Sequence, residues 1–226
     1  MKPAIYEHKP EPGSSHDLLQ KRLSSLPAGS RVLDVGAATG LLGRTLAGSG
    51  LRLYGIEPDP GWAEQARPHY ETVFAGGLDD APGEFLAPYD AVVCADVLEH
   101  LPDPQRALDR LAALQQPGTR FLISVPNAAH LYVRLMLLLG RFDYAERGIL
   151  DRTHLRFFTR KTARELVAAA GLRLESIEPT PVPLGLVRLC FRETAPGRLA
   201  QASLYRLTRL FPTLLGYQFF CLAIKP

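Results

Sequence analysis

The chain has 226 residues, 46% of them hydrophobic, and a formal net charge of +3. That length sets one domain, or one with a small appendage, and the apolar share fills a complete core. So weak a charge, with no block of basic residues, leaves no electrostatic footprint for nucleic acid.

Cys94, Cys190 and Cys221 are odd in number, far apart and set in apolar runs. They read as reduced core thiols of a cytoplasmic protein, with no disulfide frame and no metal site. Residues 1–7 lack the apolar core of a signal peptide. The longest oily stretch, residues 131–139, contains Arg134 and falls far short of the roughly 20 residues that span a bilayer. This leaves no transmembrane segment, with membrane contact at most peripheral.

Residues 1–15 are rich in Pro, Gly, Ser and charge, as in a loose arm. Leu18, Leu19, Leu23 and Leu26 then recur near helical spacing over residues 16–26, and Pro27-Ala28-Gly29 ends that helix. Residues 31–43 join an apolar strand (Val32, Leu33, Val35) to a helix through Gly36, Ala37, Ala38 and Gly40, residues small enough to let a ligand approach the backbone. Asp34 is the odd member. A carboxylate in so apolar a strand costs several kcal/mol unless it holds backbone donors or a cationic part of a ligand.

Two loop patterns compete here. The dinucleotide fingerprint Gly-x-Gly-x-x-Gly is met by Gly40 and Gly43, with Ala38 standing for its first glycine. The pattern acid-x-Gly-x-Gly-x-Gly is met by Asp34, Gly36 and Gly40, with Ala38 in the middle place. The second is preferred because it sets Asp34 beside an ammonium group and not beside a pyrophosphate. Strand 51–57 follows and ends in Glu57-Pro58-Asp59, an acid at the distance where a carboxylate grips the two hydroxyls of a ribose. On these residues the chain resembles motif I of the class I S-adenosylmethionine (SAM) methyltransferases.

Asp59 caps and Pro60 opens the next helix, and residues 71–75 form a third strand. The resemblance implies an acid at the following turn for the adenine amine. Gly77 stands there, so Asp79 is the substitute and Leu78 the apolar packing partner. Residues 89–95 form a central apolar strand ending in Asp96-Val97-Leu98-Glu99-His100, which is similar to the turn after strand four of many small-molecule methyltransferases. It implies that Asp96, Val97 and Leu98 lie beside the cofactor. His100 is a candidate catalytic group or a brace for the turn.

Asp103 caps a helix that Pro117-Gly118 breaks, and residues 119–125 make the fifth strand. Strands alternating with helices over residues 31–125 specify an open parallel sheet with right-handed crossovers, whose ligands bind at the carboxyl ends of the strands. Asp34, Glu57, Leu78, Asp96 and Asn127 all fall at that edge.

Residues 128–139 read as a helix with Leu131, Leu135, Leu138 and Leu139 on one side. The long loop 140–158 is dense in Asp, Arg, His and aromatics, which marks a functional segment. Asp151 and His154 are three apart, so one helical turn would pair them as a carboxylate-oriented general base, or they tie the loop to the sheet. Arg152 and Arg156 are candidates for an anionic acceptor. The run 150–158 resembles a motif of methyltransferases associated with carbohydrate or secondary-metabolite pathways. Thr159 then caps a helix, residues 172–178 and 217–224 make the last strands, and residues 198–210 a basic, apolar docking helix that leaves membrane contact open.

The resemblance, spanning about residues 16–225, implies a Rossmann-like α/β fold of seven mostly parallel strands with helices on both faces and an antiparallel last strand. It implies residues 1–30 as an arm and lid helix, with Tyr6 and His16 over the cofactor, residues 31–226 as the SAM-binding domain, and 128–158 as a substrate-facing insertion. The expected activity is SAM-dependent methylation of a small-molecule acceptor, at an oxygen of a sugar, phenol or secondary metabolite. No metal is expected, because the histidines lack ligand spacing along the chain. A NAD-dependent oxidoreductase and a SAM-binding module without catalysis are the alternatives.

Overall fold

The computed structural model describes residues 12–86, 88–183 and 195–226, the side chains of 195–199 apart. Tyr6 and Cys190 therefore lie outside the described residues. Strands β1 (Arg31–Val35), β2 (Arg52–Glu57), β3 (Thr72–Ala75), β4 (Ala91–Ala95), β5 (Arg120–Pro126), β6 (Arg173–Thr180) and β7 (Gln218–Ile224) build one sheet. Their order is β3-β2-β1-β4-β5-β7-β6. β1 to β5 pair in parallel, and β7 runs antiparallel between β5 and β6. This is the expected Rossmann-like fold. The strand order reverses between β1 and β4, which opens a crevice at their carboxyl ends.

Alternation along the strands explains why both faces are covered. Leu33, Val92, Phe121 and Ile123 face one core cluster, shared with Leu108 and Leu111 of helix α4 (Pro104–Ala113). Their neighbours Val32, Val93 and Leu122 face another, closed by Leu18, Leu19 and Leu23 of helix α1 (Ser15–Leu23). Helices α2 (Leu41–Thr45) and α3 (Pro60–Ala66) follow β1 and β2. Asp59, Asp103 and Thr159 each accept a backbone N–H at the start of α3, α4 and α6 (Arg160–Ala169), the caps that the sequence expects.

Helix α5 (Leu131–Leu138) buries Val133, which packs with Ile149 and Leu150 and against Tyr217 in a small core of its own. Leu135, Leu138 and Leu139, expected on one side of the helix, are exposed, Leu138 by 82%. The leucine spacing is helical, but no sheet lies beneath that face. The two ends of the insertion are clipped together where the Ala128 N–H meets the Phe158 carbonyl at 2.8 Å. Helices α7 (Ala195–Leu210) and α8 (Pro212–Leu215) lead into β7. Asn127, just past β5, is fully buried and donates to the carbonyls of Thr213 (2.9 Å) and Gly216 (2.7 Å), a brace between the strand end and α8. Among the described residues no helix is long and apolar enough to cross a membrane.

Candidate active site

The loop after β1 works through its backbone. Gly36 (φ 79°) and Gly40 (φ 80°) take left-handed conformations. A Cβ on Gly36 would come within 2.6 Å of Val97 Cγ2, and one on Gly40 within 2.9 Å of Ala66 Cα. Both places require glycine. Ala38 also has positive φ, 46°, at a cost of roughly 1–2 kcal/mol. Its N–H donates to Glu57 Oε2 at 2.8 Å, which offsets part of that strain. The other Glu57 oxygen accepts from the Asp59 N–H at 2.9 Å. Register sets the pair: Asp34 lies opposite Gly55, so Glu57 caps the neighbouring strand just above it.

Asp34 and Glu57 are each 5% exposed. Burial pushes the Asp34 carboxyl up to about 7, against the pull of the Tyr70 hydroxyl, which donates to Oδ2 at 2.6 Å, and with the help of the Glu57 charge. Burial also raises Glu57, and its two backbone donors oppose the shift. The Tyr70 hydroxyl is itself pushed well up by burial and by the Asp34 charge.

A cavity of about 310 Å³ opens over these acids. Asp34, Gly36, Ala37, Ala38, Glu57, Pro58, Asp96, Val97 and His100 line it, joined by His16 and Leu19 of α1 and Trp62 of α3. Asp96 holds a left-handed backbone, φ 55°, unusual for a residue with a side chain. Its Oδ1 accepts from Ser124 Oγ (2.6 Å) and Gln218 Nε2 (2.7 Å), so β5 and β7 aim it.

Four expected cofactor residues stand outside this lining. Gly40 is behind the loop, against α3. Leu78 and Leu98 are turned into the main core, Leu98 with no exposure, because each opens a short turn whose apolar first residue packs under the sheet edge. Asp79 is exposed, 3.9 Å from Arg106, and the Gly77 N–H goes to Asp80 at 3.3 Å.

The expected pairing of Asp151 with His154 is not formed. Asp151 Oδ1 accepts both the N–H (2.8 Å) and the hydroxyl (2.7 Å) of Thr153, closing a tight turn instead of a helical one. His154 Nδ1 lies 3.0 Å from the Ile149 carbonyl. Its pKa is lowered, first by burial and further by His100, while the Ile149 carbonyl opposes the shift. The His154 ring meets His100 edge-on, with centroids 4.8 Å apart. The insertion is held to the turn after β4 by the Glu99 carbonyl, which accepts from the N–H groups of Leu155 (2.8 Å) and Arg156 (3.0 Å). One donor atom from each of Glu99, His100 and His154 thereby comes within 4.8 Å of the others. Spacing along the chain could not show this, since the grouping is made by the fold.

Tyr70, Ser124 and Gln218 were not legible as site residues. Tyr70 stands at an ordinary strand entrance. Ser124 and Gln218 carried a usable signal, each a polar residue in an otherwise apolar central strand.

A doubly wound sheet of this order, with acids at the tips of β1 and β2 facing one crevice, defines a nucleoside-cofactor-binding α/β protein. The family described as a methyltransferase domain matches residues 8–177. The chain belongs to that family and is a class I SAM-dependent methyltransferase. It is 34% identical over 171 residues to the ubiquinone biosynthesis O-methyltransferase of Xylella fastidiosa (strain M23), covering 71% of this chain and 67% of that one. The protein of that name from Xanthomonas axonopodis pv. citri is 33% identical over 162 residues, 67% and 66% of the two chains. Among solved structures, a SAM dependent methyltransferase from Archaeoglobus fulgidus is similar at TM-score 0.60 and 18% identity, covering 93% and 94%. The magnesium protoporphyrin IX methyltransferase of Synechocystis PCC 6803 with bound SAH is similar at TM-score 0.59 and 16% identity, covering 94% and 84%. These two likenesses concern the fold alone.

Proposed function

We propose that this methyltransferase alkylates a hydroxyl oxygen of a small-molecule acceptor, a sugar, a phenol or a secondary metabolite. The observation that carries the reading is the pair of buried carboxylates, Asp34 and Glu57, on one cavity whose far wall is His100. Asp34 holds the ammonium of SAM, and the free lone pairs of Glu57 take the ribose hydroxyls above the glycine loop. His16 and Trp62 close over the nucleoside. The acceptor enters beside His100, with His154 behind it. The O-methyltransferase name of the curated relatives supports oxygen as the target atom. Buried thiols at Cys94 and Cys221 fit a cytoplasmic setting.

The chemistry asks mainly for alignment. The acceptor oxygen attacks the sulfonium methyl in line, the C–S electron pair stays on sulfur as a neutral thioether, and the hydroxyl proton leaves. Holding oxygen, carbon and sulfur collinear accounts for roughly 7–11 kcal/mol in favourable cases. The test is a panel of hydroxylated acceptors with radiolabelled methyl donor, and the expected product is a labelled ether. Label recovered only on nitrogen or carbon overturns the oxygen assignment. Tight S-adenosylhomocysteine (SAH) binding with no label on any acceptor would favour a module without catalysis.

A further inference from the structure

Helix α6 opens with the wrong charges for a helix. Its first turn holds no acid and carries Arg160 and Lys161, at the end where the macrodipole favours anions. Arg160 and Arg164 stand four apart on one face, a like-charge spacing that weakens a helix. Lys161 has Glu165 at 3.7 Å, but among the described residues no carboxylate is paired with Arg160 or Arg164. Arg160 Nε is buried and meets no acceptor among those residues, a donor that costs stability until one arrives.

The same side chains wall a cavity of about 600 Å³, to which α5 contributes Arg134 and α8 contributes Thr213. Its described lining shares no residue with the crevice over Asp34 and Glu57. Arg134 is anchored through Nε on the Ala129 carbonyl at 2.6 Å, which leaves its two terminal nitrogens for a ligand.

We propose that this cavity binds the phosphate or diphosphate group of a soluble small molecule. Three guanidinium groups from two helices, in excess over the one glutamate among the described lining residues, call for an anion of more than one charge, and each matches a pair of phosphate oxygens. The capping box of α6 uses the Thr159 and Thr162 N–H groups, so those of Arg160 and Lys161 remain to donate at the head of the helix. A volume of about 600 Å³ leaves room for an organic body on the phosphate.

The position has a mechanical consequence. Arg134 lies just inside the beginning of the insertion and Arg160 just past its end, beside the 2.8 Å contact of Ala128 with Phe158. One anion held by both clasps the two ends and steadies the segment that carries His154. Neither the binding nor the clasp rests on the methyl-transfer reading.

The test is calorimetry of the full chain with inorganic pyrophosphate, at constant ionic strength set with chloride. One saturable site per chain is expected, with amide exchange over residues 140–158 slowed when it fills. Arg134→Gln and Arg164→Gln, both at exposed positions, should each weaken pyrophosphate binding by about 10-fold or more, the loss of one charge-assisted hydrogen bond, with SAH affinity within about twofold as proof of folding. Arg67→Gln, after α3, should leave pyrophosphate binding unchanged. No saturable binding, undiminished affinity in both cavity variants, or an equal loss in Arg67→Gln overturns the proposal. Affinity for phosphatidylglycerol vesicles with none for pyrophosphate overturns the soluble ligand, and binding with unchanged exchange overturns the clasp. Failure of the parent chain to bind SAH, with pyrophosphate bound, would instead count against the methyl-transfer reading.

Discussion

The two ends of the cleft are built by different means. At the proposed cofactor end Asp34 and Glu57 sit on adjacent parallel strands, and strand register brings them together. Their partners come from the loops at the strand ends: the N–H groups of Ala38 and Asp59, and the hydroxyl of Tyr70 just before β3. At the proposed acceptor end His100 and His154 come from separate loops, each with Nδ1 at a backbone carbonyl, of Thr153 and of Ile149. One end holds charge against burial; the other holds lone pairs. A cofactor common to many proteins can be gripped by rigid strand tips, whereas an acceptor particular to one protein is met by a loop that can vary without disturbing the sheet.

If the ends are separable, variants at one should spare the other. His154→Ala should lower kcat by about 10²-fold or more while SAH affinity by calorimetry stays within about twofold. A parallel loss of SAH would join the two ends into one. Asp34→Ala should weaken SAH by about 100-fold, the loss of a charge-assisted contact in a buried site, and circular dichroism should remain native. Retained affinity would remove Asp34 from the cofactor grip.

The same acid gives a pH signature opposite in sign to that of the histidine end, where the lowered His154 pKa adds stability as pH rises. With its carboxyl raised from 3.8 to about 7, the folded SAM-free chain holds a proton that the unfolded chain releases. Asp34 thus favours the folded state at low pH, and that contribution fades as pH climbs from about 4 to about 7, on the order of a few kcal/mol. Chemical denaturation across that range should show the slope, and Asp34→Asn should flatten it. The proposed grip on SAM uses the ionised acid, so its affinity should fall about tenfold per unit below pH 7. An affinity independent of pH would show that the ammonium is held elsewhere. The smallest effect belongs to the insertion surface: Leu138→Ser, at 82% exposure, should move stability by less than about 0.5 kcal/mol in thermal melts. A larger loss would mean that α5 packs against something.

What the sequence made legible follows this division. That Asp34, Gly36 and Glu57 share one crevice was readable because strand, tight turn and next strand are local features that a parallel sheet brings to one edge. The insertion was not. Helical leucine spacing put Leu135, Leu138 and Leu139 on one side, but burial depends on what lies opposite, and the small core under α5 joins Val133 to Ile149, Leu150 and Tyr217. A separation of three residues joined Asp151 to His154 only if the chain were helical there, and the Thr153 hydroxyl instead draws the carboxylate into a turn. Motif reading placed Leu78 and Leu98 at the cofactor, although each is the apolar foot of its turn. The imidazole pair was hidden because each ring is uninformative until the other is beside it.

The position of β7 has a bearing on how this enzyme matures. Of the seven strands it leaves the ribosome last, yet it fills a slot between two made earlier, so β5 and β6 wait with open edges until it slides in. Gln218 travels with it and donates a hydrogen bond to Asp96 Oδ1. A nascent chain can thus pair the strands that carry Asp34 and Glu57 well before β7 brings Gln218 to Asp96.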